Sequence, residues 1–222
     1  MERSQCETVC ASTPAALQPV PVPSSALLAR LAPLTPVPGR PDLAAHHAPD
    51  VFALWQAWEE ECGAPQDVPF WATVWPAAQL LARVVQAEPL WVRGQTVLDL
   101  GCGSGVAGIA ALYAGATRVV AHDIDPVALA IAAQNARANA VDLILQGTPL
   151  LHGPCPARIT CILVGDLFYE RAAALALWAW LRTAHRQGVR VLIADASRPF
   201  APTAGVRCGG VSNVDIDENN TL

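Results

Sequence analysis

The sequence predicts an α/β fold built on a doubly wound, mostly parallel sheet. Three observations carry this. From Gln95 onward, short apolar runs alternate with helical patterns; a glycine-rich turn joins the first run to its helix; and an acidic residue closes the second run. Strands separated by helices need crossover connections. These are right-handed, so they lay helices on both faces of a parallel sheet.

Each element has its own signal. Thr96–Leu100 is the first apolar strand, and Val106–Tyr113 is a helix of small residues after the glycine turn. Arg118–Ala121 is the second strand, ending in His122-Asp123. Asp125 caps a helix that Pro126 starts and that runs to about Asn139, because proline fits the first helical position and aspartate the position before it. Asp142–Gln146 and Thr160–Val164 follow as strands, Arg171–Arg186 as a long helix and Val189–Ala194 as the fifth strand. Upstream, Asp50 caps a helix over Val51–Glu61 whose buried face holds Phe52, Trp55 and Trp58. The proline-bounded aromatic segment Pro69–Pro76 leads into a helix over Ala77–Gln86, with Leu80, Leu81, Val84 and Val85 at helical spacing.

The flanks read differently. Residues 1–50 are proline-rich, and each proline fixes φ and removes a backbone donor, so an extended N-terminal arm is expected, disordered at its start. Residues 51–200 hold the α/β domain. Residues 201–222 show little apolar periodicity and are expected to form a loose tail.

Composition narrows the functional classes. A chain of 222 residues, 53% hydrophobic and 15% charged, is globular rather than disordered. The net charge of −5 leaves no basic footprint for nucleic acid. All fourteen basic residues are arginine, which codon bias in a GC-rich genome explains along with the alanine richness. No apolar run reaches the roughly 18 residues of a membrane span, and no basic start precedes an apolar stretch at the N-terminus. No membrane association is expected, and the location is read as cytoplasmic. The seven cysteines lack CxxC or Cys/His spacing, and the five histidines form no partner pattern, so reduced thiols, surface or loop histidines and no metal are expected.

The chemistry concentrates in Val97–Gly105. Asp99 precedes Gly101, Gly103 and Gly105 in a G-x-G-x-G turn. A nicotinamide dehydrogenase, the main rival, would show G-x-G-x-x-G to seat a pyrophosphate on the helix. S-adenosyl-L-methionine has no phosphate. It carries a sulfonium, an amino group and a carboxylate, so an acid beside the loop suits it. Asp99 is expected to accept from the amino group, and the loop amides to face the carboxylate. Asp123, at the end of the second strand, is the expected acceptor for the ribose hydroxyls, with Ile124 packing on the adenine. Trp71 reads as a buried aromatic. Trp75 reads equally as packing or as the border of the cofactor pocket.

Several of these segments together resemble a known group. Pro69-Phe70-Trp71-Ala72 with Trp75-Pro76, the glycine loop, Asp123-Ile124-Asp125-Pro126 and Gly165-Asp166-Leu167-Phe168-Tyr169-Glu170 resemble the Rossmann-like seven-β-strand methyltransferases. Within them they are similar to the branch of the electron-transfer flavoprotein β-subunit lysine methyltransferases and their bacterial relatives. The resemblance runs from about Ala48 to Phe200. It implies an N-methyltransferase that uses S-adenosyl-L-methionine on a protein lysine, with the electron-transfer flavoprotein β-subunit as protein substrate. In that reading Asp166 or Glu170 orients the amine or accepts its proton through water, Tyr169 hydrogen-bonds it, and Phe168 walls the pocket. Asp166 reads equally as the cap of the helix from Arg171. Two other readings stay open: an N-methyltransferase for a nicotinamide-like amine, and a cofactor-binding relic without turnover. The chain departs from the branch at Asp195-Ala196-Ser197-Arg198, where Asp-Pro-Gly-Arg is usual, and residues 201–222 are short and polar for the hairpin that usually closes the sheet, which is expected to be incomplete.

Overall fold

A computed structural model describes residues 21–209. The first twenty residues of the proline-rich arm and residues 210–222 of the expected tail lie outside them. The helices are α1 (Ser25–Leu31), α2 (Val51–Cys62), α3 (Pro76–Ala87), α4 (Val106–Tyr113), α5 (Pro126–Ala138) and α6 (Arg171–Arg186). The strands are β1 (Leu34–Val37), β2 (Arg40–His46), β3 (Thr96–Leu100), β4 (Arg118–His122), β5 (Ile144–Gln146), β6 (Cys161–Gly165) and β7 (Arg190–Ala194).

Five strands pair in the order β5-β4-β3-β6-β7, all parallel. The chain winds outward from β3 to β5, then returns to the other side of β3 as β6. The strand order therefore reverses between β3 and β6, where ligands meet a doubly wound sheet. The expected fold class is present.

Alternation along the central strands divides the core. Val97 of β3 and Cys161 and Leu163 of β6 join α3 and α4 through Ala77, Leu81, Val85, Val106 and Ala110. Leu98, Leu100, Ile162 and Val164 face the opposite way, onto Leu177, Trp180 and Leu181 of α6. Successive strand side chains point to opposite faces, so an unbroken apolar run buries both.

The described part of the N-terminal arm departs from its expectation. From Ser25 it is a helix followed by an antiparallel hairpin. The prolines do not prevent this, because a two-stranded ribbon consists of edges, where proline is tolerated. The turn between the strands uses Gly39 at φ 72. Arg40, 2% exposed, fastens the hairpin to α3 by donating to the Ala82 carbonyl at 2.7 Å, while Asp42 binds the rest of its guanidinium.

Asn135 of α5 and Asn139, which caps the end of that helix, substitute for a neighbouring strand along β2. The Ala44 amide donates to Asn139 Oδ1 at 2.9 Å, and Asn139 Nδ2 returns a bond to the Ala44 carbonyl at 2.7 Å. The His46 amide donates to Asn135 Oδ1 at 2.9 Å.

Val51, Leu54 and Trp58 form the buried face of α2, and Trp58 meets Trp71 edge-on at 6.2 Å, while Phe52 is 57% exposed and touches Trp55. The stripe passes through the first residue of the helix rather than the second. His122 is not a surface histidine: it closes β4 in a buried position, its Nε2 3.0 Å from the Thr148 carbonyl.

Candidate cofactor and acceptor site

The glycine loop leaves the C-terminal end of β3 and turns into α4. Gly101 and Gly103 take φ of 67 and 49, conformations that side chains rarely adopt. A methyl group at Gly101 would stand 2.8 Å from Leu167, so this part of the loop is pressed onto the segment after β6. A methyl group at Gly103 would meet nothing within 4 Å. That face of the loop is open to a ligand.

Asp123 braces the loop from the end of β4. Its Oδ2 accepts from the Gly103 amide at 2.9 Å, and its Oδ1 accepts from the Asp125 amide at 3.0 Å. A carboxylate oxygen carries two lone pairs, so each oxygen retains one for a hydroxyl. Ile124 beside it is 75% exposed. Asp125 caps α5 by accepting from the Val127 amide at 2.7 Å. Burial pushes the Asp125 carboxyl up against that bond, and the charges of Asp123 and Asp67 add to the effect.

Asp99 lies beneath the loop, 3% exposed. Its Oδ2 accepts from the Gly108 amide at 2.8 Å, which ties β3 to the first turn of α4. Burial pushes its carboxyl up to about 7, and the charge of Asp123 adds to this. Burial and the same two acids hold the Cys102 thiol well above its ordinary range, so it stays protonated. A cavity beside the loop is lined by Trp75, Asp99, Gly101, Gly103, Ser104 and Gly165, among others. Trp75 borders it, with its indole donating to the Phe70 carbonyl at 2.9 Å. Trp71 is 1% exposed in the core.

The segment after β6 sorts its expected residues into different roles. Asp166 is 7% exposed and does not cap α6. Its carboxylate is held by Arg198, whose Nε donates to Oδ1 at 2.8 Å and whose Nη2 donates to Oδ2. Glu170 caps α6, accepting from the Ala172 and Ala173 amides at 2.9 and 2.7 Å, and these bonds hold its carboxyl below the usual range. Tyr169 is 61% exposed. Phe168, expected to wall the pocket, is fully buried in the α6 core with Ile162, Val164 and Leu177, because it falls on the core side of the turn.

Sequence reasoning missed two residues that shape the site. Arg198 is one of them: three residues after Asp195, it donates its amide to that carboxylate and its guanidinium to Asp166. Asn135 is fully buried and donates through Nδ2 to the Ser104 carbonyl of the glycine loop at 2.9 Å. A polar residue on the apolar face of the helix after Pro126 was its signal.

The fold and crevice define a Rossmann-like α/β protein with a glycine loop at its switch point. Comparison with known proteins carries this further. The ribosomal protein L11 methyltransferase family model matches residues 79–159. The chain is 37% identical over 143 residues to the electron transfer flavoprotein beta subunit lysine methyltransferase of Mus musculus, covering 64% of this chain and 56% of that protein. It is 32% identical over 176 residues to the Caenorhabditis elegans homolog of that enzyme, covering 71% of this chain and 70% of the homolog. A crystal structure of ribosomal protein L11 methylase from Lactobacillus delbrueckii subsp. bulgaricus aligns with a TM-score of 0.41 at 29% identity, over 53% of this chain and 58% of that one. The chain belongs to the electron transfer flavoprotein beta subunit lysine methyltransferase family, and it spans little more than half the length of the mouse protein.

Proposed function

We propose that this protein transfers a methyl group from S-adenosyl-L-methionine to a lysine of a protein substrate, the electron-transfer flavoprotein β-subunit. The observation that carries the reading is the crevice between β3 and β6, where the open face of Gly103, the braced Asp123 and the buried Asp99 converge. This donor set fits the cofactor. Asp123 has lone pairs for the ribose hydroxyls, and Asp99 offers a buried acid to a cationic amino acid moiety. Gly103 gives close backbone approach, Gly101 and Gly105 let the loop pack against Leu167 and Ala132, and Trp75 and Ile124 supply apolar walls.

The cofactor supplies a methyl group already activated by its sulfonium. The protein must align the acceptor and exclude water. A free lysine has a pKa of about 10.4, and an apolar, partly desolvated pocket lowers it, so the amine loses its proton to water before attack. The bound cofactor would supply its methyl carbon to the nitrogen lone pair held in line with it, and its sulfur would keep the electrons of the bond given up. Asp166 orients the amine, and Tyr169 offers a hydroxyl at the mouth of the site. Glu170 contributes by fixing the start of α6 beside them.

The net charge of −5 suits a partner with exposed basic residues rather than a nucleic acid. The described cysteines are free thiols, which fits a reducing compartment, and we place the reaction in the cytoplasm. Among the described residues no helix is long and apolar enough to cross a membrane. The test is incubation of the purified protein and labelled cofactor with the flavoprotein, and separately with nicotinamide. Mass spectrometry should find a methylated lysine on the β-subunit. Turnover of nicotinamide with an unmodified flavoprotein would transfer the activity to small amines.

A further inference from the structure

A second cluster stands at the C-terminal ends of β6 and β7, one residue beyond the Gly165 that lines the crevice. The Asp166 amide donates to the Ala194 carbonyl at 3.0 Å, which sets the two strand ends side by side. The chain then turns at Asp195, whose Oδ1 accepts from the Arg198 amide at 2.7 Å. That turn sends the Arg198 side chain back onto Asp166. The guanidinium takes both carboxylate oxygens at once, so the carboxylate cannot rotate. Oδ1 also receives the Ala196 amide at 3.4 Å, whereas Oδ2 receives only the guanidinium, and one of its lone pairs remains.

Backbone strain marks the same place. Asp166 and Ser197 both lie in the left-handed region, at φ of 58 and 63, without being glycine. Such conformations persist where the surroundings hold them, and they gather at functional sites. Ser197 thus holds a conformation that glycine takes freely. This turn delivers the Arg198 side chain to Asp166.

We infer that Arg198 is a positioning residue for methyl transfer: it fixes the Asp166 carboxylate so that the remaining Oδ2 lone pair receives an N–H of the acceptor amine. Arg198 itself does not touch the amine. Its positive charge also opposes entry of a protonated amine and favours the free base. The inference rests on the lysine methyltransferase reading.

The test compares wild type, R198A and R198K in steady-state methylation of the flavoprotein β-subunit. Cofactor affinity is measured by calorimetry, and exchange of the Ala196 amide by mass spectrometry. R198A should lower kcat by about tenfold or more with KM and cofactor Kd within about threefold of wild type, and speed Ala196 exchange. R198K, which keeps the charge but not the fork, should recover part of the rate. R198A turning over at the wild-type rate overturns the inference and leaves the functional reading standing. Equal losses of kcat, cofactor affinity and melting temperature in both variants also overturn it, by showing a purely structural role. A wild-type protein that binds cofactor but methylates no lysine overturns the functional reading and this inference together.

Discussion

The side-chain amide of Asn135 bridges Ser104 of the glycine loop and His46 of the N-terminal hairpin, at 2.9 Å to each. One buried residue thus couples the cofactor loop to a hairpin distant in sequence. In N135D the donor to Ser104 becomes an acceptor, which leaves a buried carbonyl unpaired and adds a charge. Unpaired buried groups cost about 1–3 kcal/mol, and more when charged. Thermal unfolding of N135D should fall by at least about 4 °C, at roughly 2–4 °C per kcal/mol for a chain of this size. A shift below one degree would show that the bridge contributes little.

Asp123 should matter twice, as loop brace and as ribose acceptor. D123A frees the Gly103 amide and removes the acceptor for two hydroxyls. Hydrogen bonds to charged groups are worth about 1.5–3 kcal/mol each, so cofactor affinity should weaken at least about tenfold. Calorimetry with the demethylated product measures this directly, and unchanged affinity would remove Asp123 from the site.

Asp99 predicts a pH dependence. Its folded-state value of about 7 lies above the unfolded one, so the native state holds this proton more tightly. Stability from this group falls as pH rises from about 4 to about 7 and stays lower above that. A cationic ligand binds the ionised form. Cofactor affinity should therefore rise with pH up to about 7 and then level off, with proton release on binding below that point. Calorimetry at pH 6.5 in buffers of different ionisation enthalpy reports the released proton. D99N should abolish the release, weaken binding and raise the melting temperature at pH 8.

Ser197 predicts a stabilising substitution. A left-handed residue with a side chain costs about 1–2 kcal/mol, and glycine gives back about 0.5–1 kcal/mol through unfolded-state entropy. S197G should raise the melting temperature by about 1–3 °C and leave the rate near wild type. A lower melting temperature would mean that the serine side chain makes a contribution larger than its strain.

The elements most legible in the sequence were those governed by neighbours in the chain. Pro126 after Asp125 places the start of α5, and the apolar runs Thr96–Leu100 and Thr160–Val164 mark the central strands, the second one residue ahead of the observed Cys161–Gly165. Asp99, Gly101, Gly103 and Asp123 were legible as a group because each sits at a strand end or in the turn after it. The hairpin of β1 and β2 was not legible. Its prolines argue against a strand wherever both edges must pair, and nothing local reveals that α5 supplies side-chain amides in place of a third strand.

The sequence alone determined the winding of the sheet, the glycine turn and the acids around it. Helical period, strand alternation, caps and tight turns act over a few residues and leave their marks in composition and spacing. Only the tertiary structure decided what each acid does. Asp166 and Glu170 stand four residues apart in one motif, yet one is gripped by Arg198, 32 residues away, and the other caps its own helix. Asn135 meets His46 across 89 residues. Such partnerships depend on which strand lies beside which, and β7 comes to rest beside β6 only once the whole sheet has formed.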